Sequence, residues 1–296
     1  MRRVSERPQS DDGARSRVFR DGLLDDQVAI VSGGGSGLGR ATALELAALG
    51  ARVVVCGRRP APLRETAALG PGGQIEPVVC DIREEDQVAG LVDGVLDRHR
   101  RIDLLVNNSG GQFLSAAEDI TPKGFRTVIR LNLEGTWLMT HAVATRAMIP
   151  AERGKVISVT ISPHNGLPGM AHSSAARAAV ENLMRVLAIE WSRFGIRCNS
   201  IAAGQFATDT LLTKYPQPIV DAVAGTIPLG RLGEPDELAW LVAYLASPAG
   251  DFVSGAALTV DGARDDWFGA WPPAAAADDV GRPLGERRRT DRDQPV

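Results

Sequence analysis

Short runs of valine, isoleucine, leucine and alanine recur through the middle of the chain, each stopped by glycine, asparagine or a charge and followed by a longer amphipathic stretch. Runs of this length, apolar on consecutive positions, fit strands buried on both faces. They predict strands at Gln27–Val31, Arg52–Cys56, Ile75–Val79, Asp103–Val106, Lys155–Ile161, Arg197–Ile201 and Ala257–Val260. Between them apolar residues return at spacings of three and four, as in Val88, Leu91, Val92, Val95 and Leu96, which is helix periodicity with one face to pack on a sheet. Strand and helix in alternation predict an α/β fold: a single doubly wound, Rossmann-type sheet of about seven parallel strands flanked by helices.

The ends of the chain break this rhythm. Residues 1–26 are polar and charged, and residues 264–296 mix proline, alanine, aspartate and arginine without periodicity. The expected organisation is therefore an N-terminal extension over 1–26, one nucleotide-binding catalytic domain over 27–263 and a partly disordered C-terminal tail over 264–296. Two tryptophans between Trp267 and Pro273 give part of that tail the means to pack on a neighbouring surface.

Glycines concentrate where the first strand ends. Ser32-Gly33-Gly34-Gly35-Ser36-Gly37-Leu38-Gly39 follows Val28–Val31 and leads into a helix predicted from about Arg40 to Leu49. Glycines at 33, 37 and 39 permit a tight turn and let backbone N–H groups approach a pyrophosphate at a helix N-terminus. The second strand then ends in Cys56-Gly57-Arg58-Arg59, where a site selective for an unphosphorylated ribose would usually place a carboxylate. Gly57 removes that repulsion and Arg58, with Arg59, offers a guanidinium to a 2′-phosphate, so the expected cofactor is NADP(H). The bland alternative is two solvated surface arginines.

In order along residues 27–263, these and further motifs resemble the short-chain dehydrogenase/reductase family. Cys80-Asp81-Ile82 resembles its adenine-framing segment, and Asn107-Asn108-Ser109-Gly110 its turn after the fourth strand. Asn132 falls at the position of an active-site asparagine on a long helix. Ala203-Gly204 with Phe206 and Thr208 resembles the segment beside the nicotinamide, with Ala203 in place of the usual proline. The resemblance is closer to the subgroup of peroxisomal trans-2-enoyl-CoA and 2,4-dienoyl-CoA reductases, through Gly110-Gly111-Gln112-Phe113-Leu114-Ser115 and His172-Ser173-Ser174-Ala175-Ala176-Arg177-Ala178. It implies cofactor contacts from Ser32, Gly33, Gly35, Ser36, Gly37, Leu38 and Gly39, then from Arg58, Arg59, Asp81, Ile82, Asn108, Ser109 and Gly110, and further along from Asn132, Arg177, Gly204, Phe206 and Thr208. It also implies a homotetramer or homodimer.

The catalytic half departs from the family. Most members pair tyrosine with lysine four residues on, the lysine lowering the phenol pKa; here Ser173 and Arg177 stand at those positions. A serine hydroxyl is a poor acid and arginine does not relay protons near neutrality, so the pair can position and stabilise charge without supplying a proton. Thr160, thirteen residues before Ser173, keeps a hydroxyl where the family has its catalytic serine; it equally suits a β-branched strand end. Reduction of an enoyl thioester suits such a site, because hydride goes to the β-carbon and the enolate oxygen needs donors, for which Ser173, Thr160, Asn132 and the nicotinamide ribose hydroxyl are candidates, with Arg177 able to bind ribose hydroxyls and supply fixed positive charge. For the later proton at the α-carbon, His172, Tyr215, His164 and water are candidates. The rival readings are a ketone or alcohol oxidoreductase with a non-standard acid, and a nucleotide-binding protein without turnover.

Composition trims the alternatives. A net charge of −3, with 23% charged residues and no basic patch, argues against nucleic acid as a partner, and no apolar run approaches bilayer length. Three cysteines, Cys56, Cys80 and Cys198, lack the spacing of a disulfide framework or a zinc site, so no metal is expected and a reducing cytoplasm is the expected location. An acidic stretch, Glu6, Asp11 and Asp12, and a C-terminus of Gln294-Pro295-Val296 give no organelle address.

Overall fold

The computed structural model describes residues 15–162, 164, 166–214 and 216–266. Seven parallel strands form one sheet: β1 (Val28–Ser32), β2 (Arg52–Gly57), β3 (Ile75–Val79), β4 (Leu104–Asn107), β5 (Gly154–Ile161), β6 (Ile196–Ala203) and β7 (Ala257–Val260). Their spatial order is β3-β2-β1-β4-β5-β6-β7. The chain winds outward from β1 in one direction and then from β4 in the other. Between those two strands the crossovers diverge and leave a crevice at the carboxyl ends, the position at which such sheets bind ligands.

Alternation along each strand feeds two apolar layers. In β1, Ala29 and Val31 join the layer covered by α1 (Gly37–Ala48), while Val28 and Ile30 face the layer beneath α3 (Glu85–His99). α1 is also packed against the later helix α9 (Pro235–Ala246). That helix starts with Pro235 and a reciprocal capping box between Glu234 and Glu237. Pro77 in β3 is tolerated because β3 is an edge strand and need not donate on its outer side.

On the opposite face a nearly continuous helical segment runs through α4 (Pro122–Ile129) and α5 (Gly135–Val143), joined by a π-helical turn at Arg130–Glu134. Beside it lies α6 (Ala171–Glu190), the helix of Ser173 and Arg177. α2 (Pro60–Leu69) flanks β2 and β3, and two short helices, α7 (Asp209–Lys214) and α8 (Gln217–Gly225), follow β6.

The strands fall where the hydrophobic pattern predicts, within one or two residues; β1 extends to Ser32 and β6 to Ala203. Helix α1 begins at Gly37, three residues before the expected start, because the glycine turn itself supplies its first turn. The boundaries drawn for the tails differ more. Residues 15–26 are not a free extension: Leu24 is 1% exposed and donates its N–H to Leu49 O at 2.9 Å. Phe19 and Leu23 pack on the same layer, and Arg17 pairs with Asp236 while lying over the Trp240 ring. Charges outnumber these apolar residues in the sequence, which hid a segment that closes the α1–α9 layer. At the other end Arg264 donates to Thr226 O at 3.1 Å, so the folded part continues past 263. The pair of tryptophans in 267–273 lies outside the described residues.

Truncating Leu24 to alanine is expected to lower unfolding free energy by about 2–4 kcal/mol, read from the urea midpoint. The exposed Val18, changed to alanine in the same segment, is expected to stay within about 0.5 kcal/mol of the parent.

Candidate functional site

Backbone geometry at the glycine turn accounts for its composition. Gly33 and Gly37 adopt φ of +68° and +53°, and a Cβ on Gly39 would lie 2.4 Å from Gly33 O. Only glycine meets all three demands. The turn is then fastened to the end of β4. Ser32, fully buried, accepts hydrogen bonds at its hydroxyl from the amides of Asn108 (3.1 Å) and Ser109 (3.0 Å). The Asn108 side chain donates back to Ser32 O at 3.1 Å. Arg40 braces the other side of the turn through Gly35 O at 2.7 Å and the Thr66 hydroxyl.

These contacts frame a cleft of about 270 Å³ that runs from the glycine turn past the end of β2 to Gly110. Gly33, Gly35, Ser36, Asn108, Ser109 and Gly110 line its middle. At one end stand Arg58, Arg59, Asp81 and Ile82. Arg58 and Arg59 are exposed and make no hydrogen bond or ion pair among the described residues. Asp81 is committed instead to Arg83, whose guanidinium holds the carboxyl below the usual carboxylate range. The floor includes Cys56 and Cys80; burial pushes the Cys80 thiol up to about 11 and the Cys56 thiol higher still, so neither is a nucleophile.

Such a cradle suits a dinucleotide: amide-lined turn for the diphosphate, free guanidiniums at the ribose of the second strand, and a glycine surface toward the sheet centre. Gly37 faces Thr208 across the turn, with the threonine methyl 3.3 Å from a Cβ built on Gly37. Leu38 packs into the α1 layer. Gly204 and Phe206 serve packing here: a Cβ on Gly204 would lie 2.4 Å from Asp261 Cβ, and Phe206 is buried and bridges to Gly233.

The catalytic half converges on Gly110. Asn132 is wholly buried in the π-turn and grips the neighbouring backbone, accepting from Gly111 N at 3.0 Å and donating to Gly111 O at 2.9 Å. A π-turn at this point aims one side chain that an unbroken α-helix would rotate away. The Arg177 guanidinium meets Gly110 end-on: a Cβ there would sit 1.8 Å from Nη2. Its Nη1 donates to Val159 O at 2.7 Å. Burial alone lowers its pKa to about 10, and among the described residues it has no carboxylate partner. Ser173, one turn before it, is buried with a hydroxyl that finds no hydrogen-bond partner. The Ser173 hydroxyl, without a partner, and the Arg177 guanidinium, donating to Val159 O, therefore stand one helical turn apart on α6.

The candidate proton donors separate. His172 is fully buried, its Nδ1 accepting from the Ser173 amide at 2.8 Å and its ring edge-on to Phe113. The expected donor role meets a packing position there: Nδ1 is engaged and no solvent reaches Nε2. Tyr215 lies outside the described residues. Thr160 donates its hydroxyl to Glu181 Oε1 at 2.7 Å, and His164 Nε2 stands 2.9 Å from the same oxygen. His164 also holds Asp265 through its amide and Nδ1. Glu181 was missed from sequence; its signal was the four-residue spacing Ser173, Arg177, Glu181, an acid on the buried face of α6.

Among the described residues no group of three or more His, Cys, Asp or Glu has the arrangement to hold a metal ion, and no helix is long and apolar enough to cross a membrane. The three cysteines are free and buried.

Comparisons with known proteins agree with this architecture. The family model described as Enoyl-(Acyl carrier protein) reductase matches residues 33–263. A probable 2,4-dienoyl-CoA reductase of Bacillus subtilis is 33% identical over 255 residues, covering 84% of this chain and 100% of that protein. A 3-oxoacyl-[acyl-carrier-protein] reductase of Synechocystis is 35% identical, covering 81% and 97%. Among solved structures, the citronellol catabolism dehydrogenase of Pseudomonas aeruginosa is similar with a TM-score of 0.75 and 41% identity, covering 84% of this chain and 98% of that one.

Replacing Asn132 by alanine removes both bonds to Gly111 and frees the loop that carries Gly110. Nucleotide affinity, followed by cofactor fluorescence, is expected to weaken about tenfold.

Proposed function

The chain belongs to the short-chain dehydrogenase/reductase family, a family of nicotinamide-dependent oxidoreductases, and from that membership we propose that it is an NADP(H)-dependent reductase of the C=C bond in a 2-enoyl thioester. One observation carries the reading: a buried Ser173 hydroxyl without a hydrogen-bond partner and a buried Arg177 guanidinium without a carboxylate partner among the described residues stand where the family carries a proton-donating tyrosine and its lysine. Donors without a titrating acid serve a developing oxyanion better than a carbonyl that must be protonated at once.

When bound, the reduced nicotinamide supplies the hydride that reaches the β-carbon. Arg58 and Arg59 hold the 2′-phosphate, the Ser32–Gly39 turn receives the diphosphate, and Asp81 and Ile82 border the adenine. Asn132 fixes the Gly110–Gly111 backbone, against which Arg177 is pressed and from which it would contact a bound nicotinamide ribose. Ser173 and Arg177 hydrogen-bond the thioester oxygen as it becomes an enolate, and burial strengthens that interaction. Phe113 and Leu114, partly or well exposed at the N-terminus of α6, offer an apolar rim that suits an acyl chain. The carrier is coenzyme A or a carrier protein, in keeping with the names of the relatives.

A second reading, reduction of a ketone or oxidation of an alcohol, draws on Thr160, whose hydroxyl is bonded to Glu181, and on two similar proteins named a 3-oxoacyl-[acyl-carrier-protein] reductase and a citronellol catabolism dehydrogenase. Absorbance of NADPH with a 2-enoyl, a 2,4-dienoyl and a 3-oxoacyl thioester, and of NADP⁺ with citronellol, separates the two. Oxidation by the 3-oxoacyl substrate alone would overturn the first reading; binding of cofactor without turnover on any of them would leave a nucleotide-binding protein.

We further read the chain as a homodimer or homotetramer in a reducing cytoplasm, the latter supported by its free thiols. Leu133, Trp137, Leu183 and Val186 form a shallow apolar face across α5 and α6 that suits contact with a second copy. Light scattering on Trp137→Glu is expected to show smaller particles than the parent; equal mass would remove this face from the assembly.

Cofactor choice gives the sharpest test. Arg58→Glu puts a carboxylate where the 2′-phosphate would sit and is expected to weaken NADPH binding by at least about tenfold, ~1.4 kcal/mol, while NADH is unaffected or improved. Equal affinity of the variant for NADPH would sink the assignment.

A further inference from the structure

An enoyl reduction that ends in an enolate still requires a proton, and neither Ser173 nor Arg177 provides one. Below them on the same face of α6, Glu181 carries a carboxylate whose side chain is only 6% exposed. A buried carboxylate is costly unless its oxygens are used. Here one oxygen, Oε1, takes the Thr160 hydroxyl at 2.7 Å and faces His164 Nε2 at 2.9 Å. Exposure falls along the series from 35% at the His164 side chain to 6% at Glu181 and 5% at Thr160. Thr160 in turn follows Val159, whose carbonyl accepts from Arg177 Nη1, so the series leads from the partly exposed His164 inward to the strand end beside Arg177.

We propose that His164, Glu181 and Thr160 form a proton relay that delivers the α-carbon proton of the reduction. The inference rests on the reductase reading above. After hydride has formed the new C–H bond at the β-carbon, the enolate collapses and its α-carbon takes the proton of the Thr160 hydroxyl. For this the protonated His164 Nε2 first passes its proton to the Glu181 carboxylate, and as the Thr160 O–H bond breaks Thr160 takes that proton from Glu181, which returns to the carboxylate. Solvent then reprotonates His164. The sum is one hydride and one solvent proton added across the C=C bond, with NADPH oxidised and no other reagent consumed. Thr160 is the catalytic residue in this scheme; Glu181 and His164 act through it.

The surroundings of His164 favour the loaded form. Burial works against its charge, but hydrogen bonds to Asp265 and Glu181 and the charges of both carboxylates outweigh that and raise its pKa. Asp261 stands behind, accepting from the amide of Asp265 and from the Ser162 hydroxyl, and Arg185 lies 3.9 Å from Glu181 Oε2. With the pKa raised, the protonated relay persists at low pH and empties as pH rises through the folded value. The same direction applies to the clasp on Asp265: its contribution to stability is complete below the unfolded histidine pKa and lost above the raised one.

The test uses the full chain with a 2-enoyl thioester, NADPH fluorescence to verify binding, and three variants. Thr160→Val is expected to lower kcat by about 100-fold or more with NADPH affinity within about twofold of the parent, while Thr160→Ser recovers most of the rate. Glu181→Gln keeps an acceptor for Thr160 and is expected to lose rate and the solvent deuterium isotope effect on kcat. His164→Gln, at a side chain 35% exposed, is expected to abolish the alkaline limb of the pH profile, and added imidazole to restore part of the rate. Wild-type turnover with these variants matching its rate, isotope effect and pH profile would overturn the relay alone. A wild type that binds NADPH but reduces no thioester would overturn the reductase reading and the relay together.

Discussion

The hydroxyl of Ser32, held by the amides of Asn108 and Ser109, joins the carboxyl ends of β1 and β4 at the one place where the sheet changes winding direction. A parallel sheet leaves its strand-end N–H and C=O groups without ladder partners there. Satisfying some of them across the gap keeps the crevice narrow, and leaving others free makes it a ligand site. The glycine turn inherits its shape from this junction: Gly39 approaches Gly33 O too closely for any side chain, and Asn108 packs into the same space. Arg40 then carries the constraint outward to α2.

From that fixed edge the site is assembled by two further elements, each with a physical reason for its precision. The π-turn at Arg130–Glu134 rotates Asn132 onto the Gly111 backbone, and through it sets the position of Gly110. Helix α6 presents Ser173, Arg177 and Glu181 in a row at four-residue spacing toward β5. The first two place a hydroxyl and a guanidinium on the buried face of the helix, and the third turns toward Thr160 and His164.

Much of this was legible before any coordinates. Consecutive apolar runs announced buried parallel strands, because a sheet covered on both faces needs no alternation. The glycine spacing announced a close backbone turn, since that is a local demand on residue type. Less legible were residues whose use depends on distant neighbours. Leu24 sits among charges and reads as part of a polar tail until α1 and α9 are placed together. His172 and His164 are both candidates by sequence; one is walled in by Phe113 and the other is held between Glu181 and Asp265, the latter about a hundred residues away along the chain.

By itself the sequence determined the strand order's raw material, the nucleotide turn, and the loss of the tyrosine–lysine pair, because each is written in contiguous residues whose chemistry is local. Tertiary structure alone decided which buried polar groups face one another. Nothing in the spacing of Thr160, His164, Glu181 and Asp265 predicts that they share one hydrogen-bonded series. They meet because α6 folds back over β5 and the segment after β7 returns to the same edge, and only in that low-dielectric contact does a carboxylate with no role in the linear pattern gain partners worth its burial.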